Sequence, residues 1–187
     1  EKQCRAQIEK LGLFMAVQTA DFCPADKKLY ALRDVTGTVP SRELIIASIM
    51  SKKLAESLDR LVLDVKFGPG AFMKTLVDAQ KLAEGLQSAG AENHVTTEYL
   101  LTPMVEPLGR TVGNALEVTE AVETLQGRGP EDFVKLTLDL CGKVGDSPRE
   151  KLAEWLRDGT AWRKFTAMVE AQGGDVGALE TLSSAVH

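Results

Sequence analysis

Three polar side chains between Tyr30 and Lys53 have the types and spacing to recognise a planar, electron-rich ring. Arg33 precedes the Gly37-Thr38-Val39-Pro40 break, and Ser48 and Lys52 follow it. Ser48 and Lys52 are four residues apart, so on a helix they share a face and lie one turn from each other. A guanidinium presents a planar fork of donors, an ammonium a compact charge, and a hydroxyl either a donor or an acceptor. Aimed at the edge of a heterocycle, this set binds a ring gaining negative charge more strongly than a neutral one. Tyr30, three residues before Arg33, shares its helical face. It either helps line such a pocket or packs between helices. Without further context, Arg33 also fits a surface salt bridge, and Ser48 and Lys52 fit a plain helix edge. Lys53 points about 100° away from Lys52, and is expected to be solvated or paired with Glu56 or Ser57.

The flanking pattern says how these groups are carried. Pro24 suits a first helical turn, and Asp26 complements the positive end of that helix. Gly37 and Pro40 break it, Ser41 is the expected N-cap of the next helix, and Glu43 follows in its first turn. That second helix is expected to reach about Leu58, with Leu44, Ile45, Ile49, Leu54 and Leu58 as its apolar stripe and Ser48 and Lys52 beside it. The period then changes. Leu61 to Val65 is short, aliphatic and β-branched, as a buried parallel strand requires. It runs into the glycine-rich loop Phe67-Gly68-Pro69-Gly70, for which a structural turn is the preferred reading. A helix over 75–88, with Leu76, Ala79, Leu82, Ala83 and Leu86 inward, leads to a second strand over 95–102. The unit is βαβ with an expected right-handed crossover, and ligands favour the carboxyl ends of such strands. Helical patterns occupy 4–18, 114–125, 131–143, 148–157 and 160–171, with Asn114 a candidate cap.

The fold class is therefore α/β with parallel strands. Two strands are too few for a buried sheet, since sheets usually have about 4–6. The expectation is a piece of a longer protein, or strands supplied by another chain.

Composition narrows the function further. A net charge of −5 over 187 residues argues against a nucleic-acid surface, though small anions can still meet local positive charge. No apolar run approaches the ~20 residues that span a bilayer, and no amino-terminal signal pattern is present. Cys4, Cys23 and Cys141 are far apart and read as reduced thiols; with no CxxC pair and only the isolated His94 and His187, zinc is not expected.

Four segments carry a resemblance: YALRDVTGTVPSRELIIASIMSKK (30–53), LVLDVKFGPGAFMKT (61–75), LGRTVGNALEV (108–118) and GTAWRKFTAMVEAQGGD (159–175). In order and over almost the whole chain, they resemble the pyrimidine-nucleoside phosphorylase family. The resemblance implies a small all-helical domain, to which residues 25–55 would belong, and an α/β domain formed by 1–24 and 59–187. It implies a cleft between them, homodimers joined through the helical domain, and a cytoplasmic enzyme. It also implies that the phosphate-binding loop and a β-rich carboxyl-terminal portion lie outside this chain. The activity implied is phosphorolysis of thymidine or another pyrimidine (deoxy)nucleoside to the free base and a (deoxy)ribose 1-phosphate. Arg33 and Lys52 would be catalytic, facing the leaving base, with Ser48 and Tyr30 as further substrate-binding residues. No cofactor beyond the co-substrate phosphate is required. A potassium site is also implied, at the carbonyls of Leu108 and Thr111 and the Glu120 carboxylate, although Glu120 equally fits an exposed helix carboxylate. Gly37 and Pro40-Ser41-Arg42-Glu43 depart from the family's usual wording and fall in the hinge between the helices. A nucleoside-monophosphate phosphorylase of the same superfamily and a non-catalytic, dimerising fragment are the alternatives.

Overall fold

The computed structural model describes residues 2–17, 19 and 21–185. Eleven elements follow one another: α1 (Lys2–Leu11), α2 (Pro24–Thr36), α3 (Arg42–Ala55), β1 (Arg60–Phe67), α4 (Leu76–Glu92), β2 (Thr96–Pro103), α5 (Asn114–Leu125), α6 (Glu131–Val144), α7 (Arg149–Arg157), α8 (Thr160–Ala171) and α9 (Val176–Ala185). The chain divides into two units. One comprises residues 18–106 and 143–145, the other residues 1–17, 107–142 and 146–187.

The first unit is built on β1 and β2, which pair in parallel with Arg60 opposite Thr96 and Phe67 opposite Pro103. Among the described residues this is a two-stranded sheet, the incomplete α/β arrangement expected from the pattern. Alternation along β1 sends Leu61, Leu63, Val65 and Phe67 toward α4, whose Ala79, Leu82, Ala83 and Leu86 are buried against them. Leu76, expected inward, is 52% exposed. It is the first residue of α4, where Thr75 caps the helix by accepting from the Asp78 amide at 3.1 Å.

α3 also packs on α4. Met50 is fully part of the core, and Ile45, Ile46, Ile49 and Leu54 flank it, whereas Leu44 of the expected stripe is 41% exposed. The approach is close: a Cβ on Gly85 would lie 2.4 Å from Ile46 Cδ1. The Ile46 side chain thus lies directly over Gly85 of α4, and α3 carries the candidate polar groups.

α2 ends where Gly37 takes a left-handed conformation (φ +66°), with the Thr38 amide donating to the Arg33 carbonyl at 3.0 Å. Two expected caps differ. Ser41 occupies the N-cap of α3 but makes no side-chain cap bond; its hydroxyl donates to Glu43 Oε2 at 3.4 Å instead. Asn114 is the first residue of α5, and Gly113 holds the cap position. Helix α3 stops at Ala55, short of Leu58. The Phe67–Gly70 loop is a structural turn, as preferred: the Gly68 amide donates to Met73 O at 2.9 Å and the Gly70 amide to Met104 O at 3.0 Å.

The second unit is helical. α8 contacts α1, α5, α7 and α9, and α9 also packs on α5. α1 ends at Leu11 rather than running to residue 18, because Gly12 turns left-handed at φ +76°. Residue 18 itself, like His187, is outside the described residues. Cys4, Cys23 and Cys141 are free thiols. Among the described residues no helix is long and apolar enough to cross a membrane.

Candidate functional site

Helix periodicity explains why the first group of side chains meets. On α2, Asp26, Tyr30 and Arg33 stand at i, i+4 and i+7, one face of a 3.6-residue helix. On α3, Ser48 and Lys52 stand one turn apart. The two faces oppose each other. The Lys52 ammonium donates to Asp26 Oδ2 at 2.8 Å and to Ser48 Oγ at 3.0 Å. Asp26 and Ser48 are buried, and the Lys52 side chain keeps 27% of its surface.

Arg33 is neither on the surface nor in a salt bridge of the kind its spacing alone allowed. It is 6% exposed. Its Nη1 donates to Leu44 O at 3.1 Å, and Nη2 donates to Val39 O. The guanidinium thereby clamps the α2–α3 connection to the first turn of α3. Its Nε is buried with no hydrogen-bond partner. A donor left in that state costs about 1–3 kcal/mol, so it calls for a reason. Tyr30 lies under the guanidinium, 5.3 Å from ring centroid to Cζ, at cation–π distance. At 49% exposure Tyr30 is not buried between helices.

Asp26 is the member that sequence reading missed; there it served only as a helix-start acid. Burial pushes its carboxyl up, but hydrogen bonds from Lys52 and Ser48 and the charges of Lys52 and Arg33 outweigh burial and hold it below its ordinary value. The signal was present in the sequence as the i, i+4, i+7 spacing with Tyr30 and Arg33. The cluster carries two cations and one carboxylate. Among the described residues no carboxylate pairs with Arg33. Lys53, by contrast, pairs with Glu56 at 2.9 Å, as expected of a solvated lysine.

The second group, Leu108, Thr111 and Glu120, lies in the helical unit. Glu120 on α5 is buried, not an exposed helix carboxylate, and its Oε2 accepts from the Arg110 amide at 2.7 Å. Asp132 accepts from the Gly109 amide at 3.0 Å; bonds from the Gly109 and Phe133 amides hold its carboxyl below the usual range. Two carboxylates thus shape the 108–111 loop. Thr111 Oγ1 is buried without a partner, and Leu108 is 40% exposed. Among the described residues no cluster of three or more His, Cys, Asp or Glu could hold a metal. A site here would need backbone carbonyls, oxygen ligands that suit a hard cation.

Gly109 is tightly fitted in this loop. It sits at φ +77°, and a Cβ there would come within 2.2 Å of Glu120 Oε1. Gly109→Ala is expected to lower stability by more than the ~1–2 kcal/mol of left-handed backbone strain alone. Gly173→Ala supplies that reference, since Gly173 has φ +79° and open space around its Cβ. Urea unfolding of both variants reads the difference; equal losses would show that Glu120 moves aside freely.

An open, largely apolar cavity of about 750 Å³, lined by Leu13, Leu125, Trp155 and Phe165 among others, lies in the helical unit and shares no residue with either group.

With the geometry in hand, comparison with known proteins is informative. Residues 1–145 match the model of the glycosyl transferase family, a/b domain, and the chain belongs to that family. It is 54% identical over 181 residues to a thymidine phosphorylase of Mycobacterium tuberculosis, covering 94% of this chain and 42% of that protein. It is 48% identical over 172 residues to a pyrimidine-nucleoside phosphorylase of Staphylococcus haemolyticus (87% of this chain, 40% of the relative). A Staphylococcus aureus protein of the same name is 47% identical over 167 residues (84% and 39%). The chain therefore spans about two fifths of the length of these relatives.

Proposed function

We propose that this chain is the base-recognising portion of a pyrimidine-nucleoside phosphorylase, with thymidine or deoxyuridine as substrate. In the reaction, a phosphate oxygen forms a bond to the sugar's anomeric carbon while the bond to the pyrimidine nitrogen breaks. The bonding pair leaves with the base, and its charge spreads over the ring. Products are the free pyrimidine and a sugar 1-phosphate. The observation that carries this reading is the charge left over in a largely buried cluster: Arg33 and Lys52 against Asp26 alone. Fixed cations act most strongly on charge that develops in the transition state, because their orientation is already set.

Each residue then has a role. An ammonium has three donors, and Lys52 spends two on Asp26 and Ser48. The third is left for a ring oxygen of the departing base. Arg33, held by the Val39 and Leu44 carbonyls, supplies a second positive charge. Ser48 hydrogen-bonds the ring edge and Tyr30 covers the guanidinium. Phosphate-binding groups lie in the part of the enzyme outside this chain. By the family's division, residues 25–55, which pack here on the β1–β2 unit, are the part through which two copies associate, and the enzyme works in the cytoplasm.

The loop at 108–111 suits potassium. The buried Glu120 carboxylate and the Leu108 and Thr111 carbonyls would hold it, and the unpartnered Thr111 hydroxyl shows polar capacity to spare. Bound there, the ion would supply fixed positive charge to order the loop.

The test is an assay of base release from thymidine and phosphate, with a protein of the relatives' full length that carries this chain and with the 187 residues alone. Phosphate-dependent thymine release is expected from the first, and little or none from the second. Absence of release from the long protein would overturn the activity. Robust turnover by the 187 residues would overturn the assignment of the phosphate site elsewhere.

A further inference from the structure

We propose that Asp26 is a positioning residue for the pyrimidine site: it fixes where the Lys52 ammonium stands and so where the ammonium's remaining donor points. This rests on the phosphorolysis reading above and goes beyond the base-contacting residues in it. A lysine side chain has four rotatable bonds and loses much rotamer freedom when held, so an unanchored ammonium is a poor fixed charge. Here it is anchored twice, from two helices: at 2.8 Å by Asp26 from α2 and at 3.0 Å by Ser48 from its own helix. The anchor on α3 alone would let the ammonium swing about the helix; the anchor on α2 removes that freedom.

Asp26 is suited to the task on three counts. It is buried, so its carboxylate is held by the surrounding protein. It lies in the first turn of α2, where the helix end favours negative charge. The Arg33 charge also acts on it, so the carboxylate stays ionised beside both cations. The Asp26 carboxylate also draws some field away from the base. Placement and attenuation therefore have opposite effects on rate, and the two can be separated.

The experiment uses the full-length protein and the variants Asp26→Asn, Asp26→Ala and Asp26→Glu. Steady-state kinetics are measured with thymidine, with a 5-halogenated deoxyuridine whose base is a better leaving group, and against phosphate concentration. Asp26→Asn is expected to lower kcat/KM for thymidine on the order of ten- to a hundredfold, the cost typical of losing a partner that orients a functional group. KM for phosphate stays unchanged. The loss shrinks with the halogenated substrate, because a base that carries its own charge well has less need of a placed cation. Asp26→Ala falls at least as far, and Asp26→Glu recovers part of the loss. A merely structural role would depress both substrates equally, and that outcome overturns the proposal. A rise in kcat/KM overturns it as well, since it would show the carboxylate only attenuating Lys52. Should the wild-type protein release no base at all, the functional reading fails first. The Asp26–Lys52 anchoring is then read from a double-mutant cycle of Asp26→Asn and Lys52→Met in urea unfolding, where additive losses would overturn it.

Discussion

Arg33→Ala in a full-length protein carrying this chain is expected, on the proposed phosphorolysis, to cut kcat/KM for thymidine by about 10²–10³-fold, the scale of removing one fixed donor from a developing anion. The physical basis is that Arg33 is unpaired by any carboxylate among the described residues and yet is 6% exposed. A buried cation whose nearby carboxylate, Asp26, is already hydrogen-bonded to Lys52 is under-compensated and costs stability, which makes a charge-bearing ligand the natural complement. The variant also leaves the Val39 and Leu44 carbonyls without their donors and at the same time removes the orphaned Nε. These effects oppose each other, so the stability change should be modest beside the kinetic one. Arg33→Lys separates charge from geometry: an ammonium keeps the charge but cannot span two carbonyls as a planar fork does. It is expected to recover only a small part of the rate. Steady-state kinetics alongside urea unfolding checks both. Wild-type kcat/KM in a folded Arg33→Ala variant would remove Arg33 from the reaction.

Lys52→Met is expected to affect rate and stability together, and the stability loss should depend on pH. In the wild type, the folded Asp26 carboxyl lies below its ordinary value of 3.8. Its contribution is therefore fully present above the unfolded value and is lost as pH falls through the folded one. Without Lys52, a hydrogen bond and a nearby positive charge disappear, and burial, which pushes the carboxyl up, gains weight. Breaking a buried pair by removing one partner costs about 3–5 kcal/mol; with part of the Lys52 side chain solvent-exposed, the lower end is expected here. The deficit relative to wild type should be largest near pH 7 and shrink toward pH 4, as Asp26 in the variant takes up a proton. Urea unfolding at the two pH values measures this. A deficit that is constant with pH would show that Asp26 does not depend on Lys52. On the phosphorolysis reading, turnover of thymidine by the full-length protein should fall about 10²-fold or more, since a donor proposed for the base is gone.

Much of this arrangement could be read along the chain because it is local. Pro24 and Gly37 delimit α2, a short aliphatic and β-branched run marks β1, and residues 75–88 read as an amphipathic helix, which the structure continues to Glu92. Lys53 found Glu56 three residues on, within reach of any helix. Where local signals failed, a competing contact won. Ser41 turned its hydroxyl to Glu43 rather than to the helix amides, and Gly12 cut α1 short of the apolar pattern that continued beyond it. Leu44 and Leu76 had the right period but lie in the first turns of their helices, and neither is covered.

The polar groups divide along the same line. Residue types and the four-residue step from Ser48 to Lys52 were enough to mark a cation-bearing face, because helical geometry follows from spacing. The pairing of Lys52 with Asp26, 26 residues earlier, was not available from spacing: it exists because α3 folds back against α2. The burial of Arg33, its grip on the Val39 and Leu44 carbonyls, and the burial of Glu120 against the Arg110 amide are of the same kind. Burial sets the strength and the protonation of charged groups, and burial is a property of the packed chain. Chemical type is written residue by residue, whereas the environment that gives a charge its effect arises only when distant segments exclude water from it.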